Sequence, residues 1–218
     1  MLNRCGLRYK RGRHYLHSPD PDYQNKRDYA LSCLTRARKQ PRRVVTLYLD
    51  EMSYYRQPSL SSAWEEVGAH LQPLARLSYH GNSLRRVVAA LDVLTGRVIA
   101  QQWPKVGVRR LAAFYQVIRR HYPEAEAIHV IQDNWPIHFY PQVEQSAAEA
   151  RVQMVRLPTY APWLNPIEKL WRKLRQQVLH MHRLSDDWQT LQQRVREFLD
   201  SFSDGSQALL RYVGLLPN

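Results

Sequence analysis

Three carboxylates in this chain fall where phosphodiester chemistry would need them. The apolar run Arg43-Val-Val-Thr-Leu-Tyr-Leu-Asp50 ends on one aspartate and Ala127-Ile-His-Val-Ile-Gln-Asp133 on a second. Glu168 follows inside Leu164-Asn-Pro-Ile-Glu168, with thirty-four residues between it and Asp133. Carboxylates brought close together repel and cannot all stay ionised cheaply, and a divalent cation among them removes the conflict. The pattern therefore suits a site that holds such cations and processes phosphodiesters.

The elements that must position these residues follow from local pattern. Short runs rich in Val, Ile, Leu and Tyr read as buried strands, most naturally in a sheet covered on both faces. Asp50 and Asp133 are then expected at strand C-termini. If the strands are parallel neighbours, roughly 4.8 Å apart, the two aspartates emerge together at the sheet edge where open α/β proteins place their chemistry. Glu168 arrives from a helix. Asn165 is a good N-cap and Pro166 suits the first helical position, while Ile167, Leu170, Trp171, Leu174 and Val178 make one apolar face. Asn165 followed three residues later by Glu168 also approximates a capping box, which would merely close a helix end. Taken alone, Glu168 keeps both readings; beside two strand-terminal aspartates the catalytic one is favoured.

Further along, Arg86-Val-Val-Ala-Ala-Leu-Asp92 and Arg97-Val-Ile-Ala-Gln-Gln-Trp103 read as an antiparallel hairpin turning at Leu94-Thr-Gly96, with Asp92 a turn residue rather than a fourth member of the set. Helices are expected over 20–39, 108–121, 140–150, about 186–200 and 204–212, and a strand over 152–157. Ser185-Asp-Asp187 reads as a helix start that favours negative charge. Cys5 and Cys33 lack metal-ligand spacing and read as ordinary thiols, and His180 and His182, two apart, do not form a helical ligand pair. No GxxxxGK phosphate loop occurs, so nucleotide hydrolysis is not expected.

Three strings carry a resemblance: Leu49-Asp50-Glu51; Gln132-Asp133-Asn134 with His138 five positions after the aspartate; and Leu157-Pro-Thr-Tyr-Ala-Pro-Trp-Leu-Asn-Pro-Ile-Glu-Lys-Leu-Trp171. They resemble the DDE transposases of the mariner superfamily, in its bacterial insertion-sequence branch, over roughly residues 43 to 182. Thr159, Ala161 and Trp163 depart from that pattern without removing a carboxylate. The resemblance implies an α/β, RNase H-like mixed five-stranded sheet flanked by helices. It also implies two Mg²⁺ ions, with Mn²⁺ able to substitute, held by Asp50, Asp133 and Glu168, Asp50 bridging the pair. Two-metal phosphoryl transfer would use one site for cleavage and then strand transfer. Asn134 and His138 are candidates for supporting the ligands or contacting phosphate, each with a loop-cap alternative, and Asn165 stands beside the glutamate.

Charge points to the same class of partner. The net charge is +13, and residues 1 to 43 contribute +9 of it, twelve Lys/Arg against Asp20, Asp22 and Asp28. Arg8, Lys10, Arg11 and Arg13 interleave with Tyr9, His14 and Tyr15, which suits phosphate contact with stacking, although a solvated basic tail has the same composition. Lys169, Arg172, Lys173 and Arg175 lie off the apolar stripe of the catalytic helix and are further phosphate candidates. Double-stranded DNA, as transposon ends and target, is the expected partner, with room for a homodimer. The segment before Arg43 is too short for a pair of helix-turn-helix modules, so an end-reading module is expected to be encoded separately or lost. The expected division is 1–42 basic DNA-contacting arm and linker helix, 43–183 catalytic domain and 184–218 helical extension. No apolar run approaches the roughly 18 residues of a membrane span, and Met1-Leu-Asn-Arg-Cys5 lacks a secretory core, so a cytoplasmic location is expected. Two competing readings are a catalytically silent transposase-derived DNA-binding protein and an RNase H-like host nuclease.

Overall fold

The structure is a computed structural model that describes residues 17–62, 64, 66–68 and 72–217. Strands β1 (Val44–Tyr55), β2 (Leu84–Asp92), β3 (Val98–Trp103), β4 (Ala127–Gln132) and β5 (Val152–Arg156) form one sheet in the order β3-β2-β1-β4-β5. The first three make an antiparallel meander, and β4 and β5 run parallel to β1. Helices α1 (Tyr23–Lys39), α2 (Val108–His121), α3 (Pro141–Glu149), α4 (Ile167–Leu174), α5 (Trp188–Asp200) and α6 (Gln207–Val213) cover it. This is the helix-flanked mixed five-stranded sheet of the RNase H-like fold that the sequence strings imply.

Strand periodicity divides β1 between two cores. Leu47 and Leu49 pack with Val88, Ala90, Val130 and the α2 and α3 residues Phe114, Ile118 and Val143. Tyr48, Met52 and Tyr54 face the other way, onto residues of α1, α4, α5 and α6. Successive side chains of a strand must alternate in this way, so neighbours in sequence meet different environments. Ile167, Leu170, Trp171 and Leu174 of α4 are all buried, each stabilising the fold by about 1.5–3 kcal/mol. Val178 lies past α4, in a π-helical turn over Arg175–Leu179.

Two expectations are corrected. Asp50 does not end its strand: β1 runs on through Met52 and Tyr54, because β2 continues to pair with it, Asp50 opposite Ala89 and Tyr55 opposite Leu84. Asn165 does not cap α4: the helix starts one residue later than expected, preceded by Pro166, and has no side-chain cap. Pro162–Leu164 instead forms a 3-10 turn whose end Asn165 marks, in extended conformation.

The turn reading of Asp92 and the helix-start reading of Asp187 are upheld. Asp92 accepts from the backbone N–H groups of Leu94 and Thr95, closing the turn. Gly96 sits at φ +69°, and a Cβ there would stand 2.3 Å from the Ser206 carbonyl oxygen at the start of α6. Asp187 caps α5 by accepting from Thr190 N–H. Cys33 is a buried free thiol, whereas Cys5 lies outside the described residues. His180 and His182 have separate partners, Ser59 Oγ and the Leu184 N–H. Among the described residues no helix is long and apolar enough to cross a membrane.

Candidate active site

The parallel register brings the first two carboxylates together. Val44 lies opposite Ala127 and Tyr48 opposite Ile131, and the same offset carried two residues further sets Asp50 opposite Asp133. Parallel pairing has stopped by then, so β1 continues alone past the end of β4 and a cleft opens beside it. That cleft, of about 540 Å³, is lined by Asp50, Asp133 and Glu168 together with Asn134, Trp135, Tyr160 and Asn165. The structure therefore gathers the three carboxylates that the sequence singles out.

Their environments differ. Asp50 is half-buried, and its Oδ2 accepts from the indole Nε1 of Trp171 at 2.8 Å. Burial, and then the neighbouring charges of Glu51 and Glu168, push its carboxyl up to about 8. Asp133 is exposed one residue beyond β4, and its Oδ1 accepts from the Trp135 N–H at 2.9 Å. Glu168 lies in the first turn of α4. Desolvation raises its carboxyl, Asp133 adding to the rise while Arg175 and Arg172 oppose it; with its side chain open to water, solvent screening makes this the weaker perturbation. Among the described residues no Lys or Arg forms an ion pair with any of the three. Convergent hard-oxygen donors without a paired Lys or Arg among the described residues are the donor set that Mg²⁺ or Mn²⁺ prefers, so the residues fit a divalent ion.

The supporting candidates take distinct places. Asn134 donates from Nδ2 to the Leu157 carbonyl at 2.8 Å and to Thr159 Oγ1 at 3.2 Å, tying the loop after β4 to the loop after β5. Asn165 is buried beside the cleft, and its Oδ1 has no hydrogen-bond partner. His138 is wholly buried under the site. Lys169 donates to the Val213 carbonyl and Lys173 sits 4.9 Å from the Tyr212 ring centroid, both engaging α6. Arg172 and Arg175 are exposed near Glu168. Arg8, Lys10, Arg11 and Arg13 lie outside the described residues.

Two contributors were not anticipated. Trp171 reads from sequence only as part of an apolar stripe, and its donor role depends on α4 lying across β1. Glu51 forms with Asp133 and His138 a group whose ligand-type atoms all lie within 4.8 Å of one another; the Asp50-Glu51 adjacency was the available signal. The chain before α1 also reaches the site. Asp20 accepts from the Thr159 N–H at 2.8 Å and pairs with Lys26 at 2.7 Å, contacts that hold its carboxyl well below the usual range, Lys26 foremost. Ser18 Oγ donates to the Thr159 carbonyl. Residues 18–20 are thus pinned to the cleft wall, and the basic segment joins the described chain there.

Comparison with known proteins agrees with this geometry. The DDE superfamily endonuclease family matches residues 34–192. A protein of insertion element IS630 from Shigella sonnei, described as an uncharacterized 39 kDa protein, is 26% identical over 157 residues, which cover 72% of this chain and 45% of that protein. The chain thus spans less than half the length of that relative. Among solved structures, the Mos1 transposase paired-end complex with the left transposon end superposes with a TM-score of 0.66 at 18% identity, covering 99% of this chain and 65% of the other. The catalytic domain of Mos1 mariner transposase gives 0.56 at 14% identity, covering 94% and 91%. Mos1 paired-end complexes are known with Mn and with Mg.

Proposed function

We propose that this chain, which belongs to the DDE superfamily endonucleases, is the catalytic portion of an insertion-sequence transposase and performs metal-dependent cleavage and strand transfer on double-stranded DNA in the cytoplasm. The observation that carries this reading is the convergence of Asp50, Asp133 and Glu168 on one cleft, where no described Lys or Arg forms an ion pair with any of them. These residues would hold two Mg²⁺ ions, or Mn²⁺ in their place, which when bound supply Lewis-acid stabilisation of phosphoryl charge and a lowered pKa for a coordinated water.

The chain's own groups orient that chemistry. Trp171 fixes Asp50 through its indole N–H, and Asn134 sets the spacing of the two loops that frame the cleft. Arg172 and Arg175, exposed one and two turns along from Glu168, suit DNA phosphates, whereas Lys169 and Lys173 already have partners on α6. Ser18 and Asp20 are anchored at Thr159 on the cleft wall, a few residues in sequence from Arg8, Lys10, Arg11 and Arg13, which supports a role for the basic arm. We read 1–42, 43–183 and 184–218 as a division of labour over a shared core, because α1, α5 and α6 bury residues in the cluster that backs Asp50's face of the sheet. A homodimer and a separately encoded helix-turn-helix partner belong to the same proposal.

The test offers the purified chain duplex DNA ending in its element's terminal repeat, and separately an RNA–DNA hybrid, with Mg²⁺. Mg²⁺-dependent nicking of the DNA duplex followed by joining to a second duplex is the expected result. Cleavage of the hybrid's RNA strand alone would favour a host nuclease, and DNA affinity without cleavage a silent binding protein; either overturns the proposal. Deleting residues 1–16 should flatten the salt dependence of duplex binding, since each lost phosphate contact removes about 0.9 from the slope of log K against log salt.

A further inference from the structure

Asp50 and Glu51 are adjacent on β1 and therefore face opposite sides of the sheet. Asp50 looks toward α4. Glu51 looks toward the α2 and α3 face, where its side chain is only 8% exposed and its Oε1 has no hydrogen-bond partner. A carboxylate removed from water without a partner is costly, and what stands against it is His138, 0% exposed, with both ring nitrogens unpartnered as well. His138 Nε2 lies 3.5 Å from Glu51 Oε1 and 3.7 Å from Asp133 Oδ1. Trp135 and Phe139 pack against the ring edge-on, centroids 5.9 and 6.4 Å away.

We propose that Glu51 and His138 are positioning residues that brace Asp133 from behind the sheet, the imidazole N–H being shared between the two carboxylates. Both distances are a few tenths of an ångström beyond a normal hydrogen bond, so a small tilt of the ring brings either oxygen into range. The contacts Asp133 makes with the Trp135 N–H and with His138 both fall on Oδ1. Such a division holds one oxygen and leaves the other for a cation. Asp133 needs this help more than Asp50, because it is exposed, lies past the end of its strand and has no ladder to hold its backbone. A carboxylate behind an imidazole behind a ligand is a recurrent way to orient a metal site, and losing such support typically weakens metal affinity about 10–100-fold.

This inference rests on reading Asp133 as a ligand, and the test separates the two claims. Mn²⁺ affinity of the full chain, measured by titration calorimetry well below the melting temperature, needs no turnover. His138→Ala and Glu51→Ala should each weaken Mn²⁺ binding about tenfold or more, and His138→Gln, whose amide nitrogen reaches the place of Nε2, should recover most of the loss. Asp133→Asn is the control. If it weakens binding while both alanine variants, shown folded by their melting curves, bind as the parent does, the brace is overturned and the ligand reading stands. If it leaves binding unchanged, both fall. A directly bound imidazole nitrogen in pulsed EPR of the Mn²⁺-loaded protein would also overturn the proposal, since His138 would then be a ligand itself.

Discussion

Asp50 and Asp92 lie on neighbouring strands of the same sheet, and both are withdrawn from water, yet the protein treats them in opposite ways. Asp92 is 4% exposed and fully engaged: its Oδ1 accepts from two backbone N–H groups, and its Oδ2 accepts from the Tyr122 hydroxyl at 2.9 Å. Asp50 has one side-chain donor, Trp171, and two carboxylates as its strongest charged neighbours. A buried acceptor that is satisfied stabilises a turn; one left short of donors and set among like charges carries a penalty that a bound proton or cation relieves. The contrast separates a structural carboxylate from one that the proposed function needs, without appeal to motif.

The largest effect should come from breaking the functional side. On the proposed function, Asp50→Asn, Asp133→Asn and Glu168→Gln each remove a donor that would hold cations at the reacting phosphate, a contribution of several kcal/mol, so cleavage should fall about 10³-fold or more while the fold persists. Single-turnover assays with parallel melting curves check this. Any variant that keeps substantial Mg²⁺-dependent cleavage takes its residue out of the site. Asp92→Ala should do the reverse. It strands two backbone donors and a tyrosine hydroxyl, costing about 3 kcal/mol, or roughly 6–12 °C in melting temperature for a chain of this size, with activity per folded molecule unchanged. Lost cleavage at full stability would erase the distinction.

How much of this was legible beforehand depends on the distance over which each feature is decided. The aspartates and glutamate stand at the ends of short apolar runs or in a helix-starting string, and local pattern suffices for them; so it does for Asp92, whose turn lies within three residues. The extension of β1 past Asp50 was not legible, because it depends on pairing with β2, 29 to 37 residues away in sequence. The same pairing puts Glu51 on the far face, and so the Glu51–His138 contact stayed hidden although both residues sit in the recognised strings. Asn165 misled because a good capping residue is a statement of propensity, and the tertiary path through the Pro162–Leu164 turn left it extended and buried beside the cleft.

The comparison can be sharpened by metal and pH. Because the folded state holds the Asp50 proton to about pH 8 whereas an unperturbed aspartate releases it near 3.8, the folded form binds that proton more tightly. The associated stability is complete below about pH 4 and is lost as pH rises through about 8. Metal-free protein should therefore melt progressively lower over that window, and Asp50→Asn should flatten the trend. At pH 8, Mg²⁺ or Mn²⁺ at about 100 times its dissociation constant should stabilise the parent by about 2.7 kcal/mol. Asp50→Asn should lose most of that gain. A parent chain whose melting temperature ignores both pH and metal would refute the strained-carboxylate account.

The smallest and most discriminating pair removes one donor from each aspartate. Tyr122→Phe deletes the hydroxyl on Asp92 Oδ2 and nothing else, leaving two backbone donors in place, so its effect should be about 1 kcal/mol of stability with cleavage unaltered. Trp171→Phe deletes the indole N–H on Asp50 Oδ2 and some buried area, with a stability loss of similar order, but here the carboxylate loses the contact that orients it. Its cleavage rate should drop about tenfold at saturating Mg²⁺, and its apparent Mg²⁺ requirement should rise. Melting curves and rates measured side by side give the ratio. If the two variants lose stability alike and neither loses rate, the Trp171 bond is mere packing, and the orientation of Asp50 must come from the strand itself.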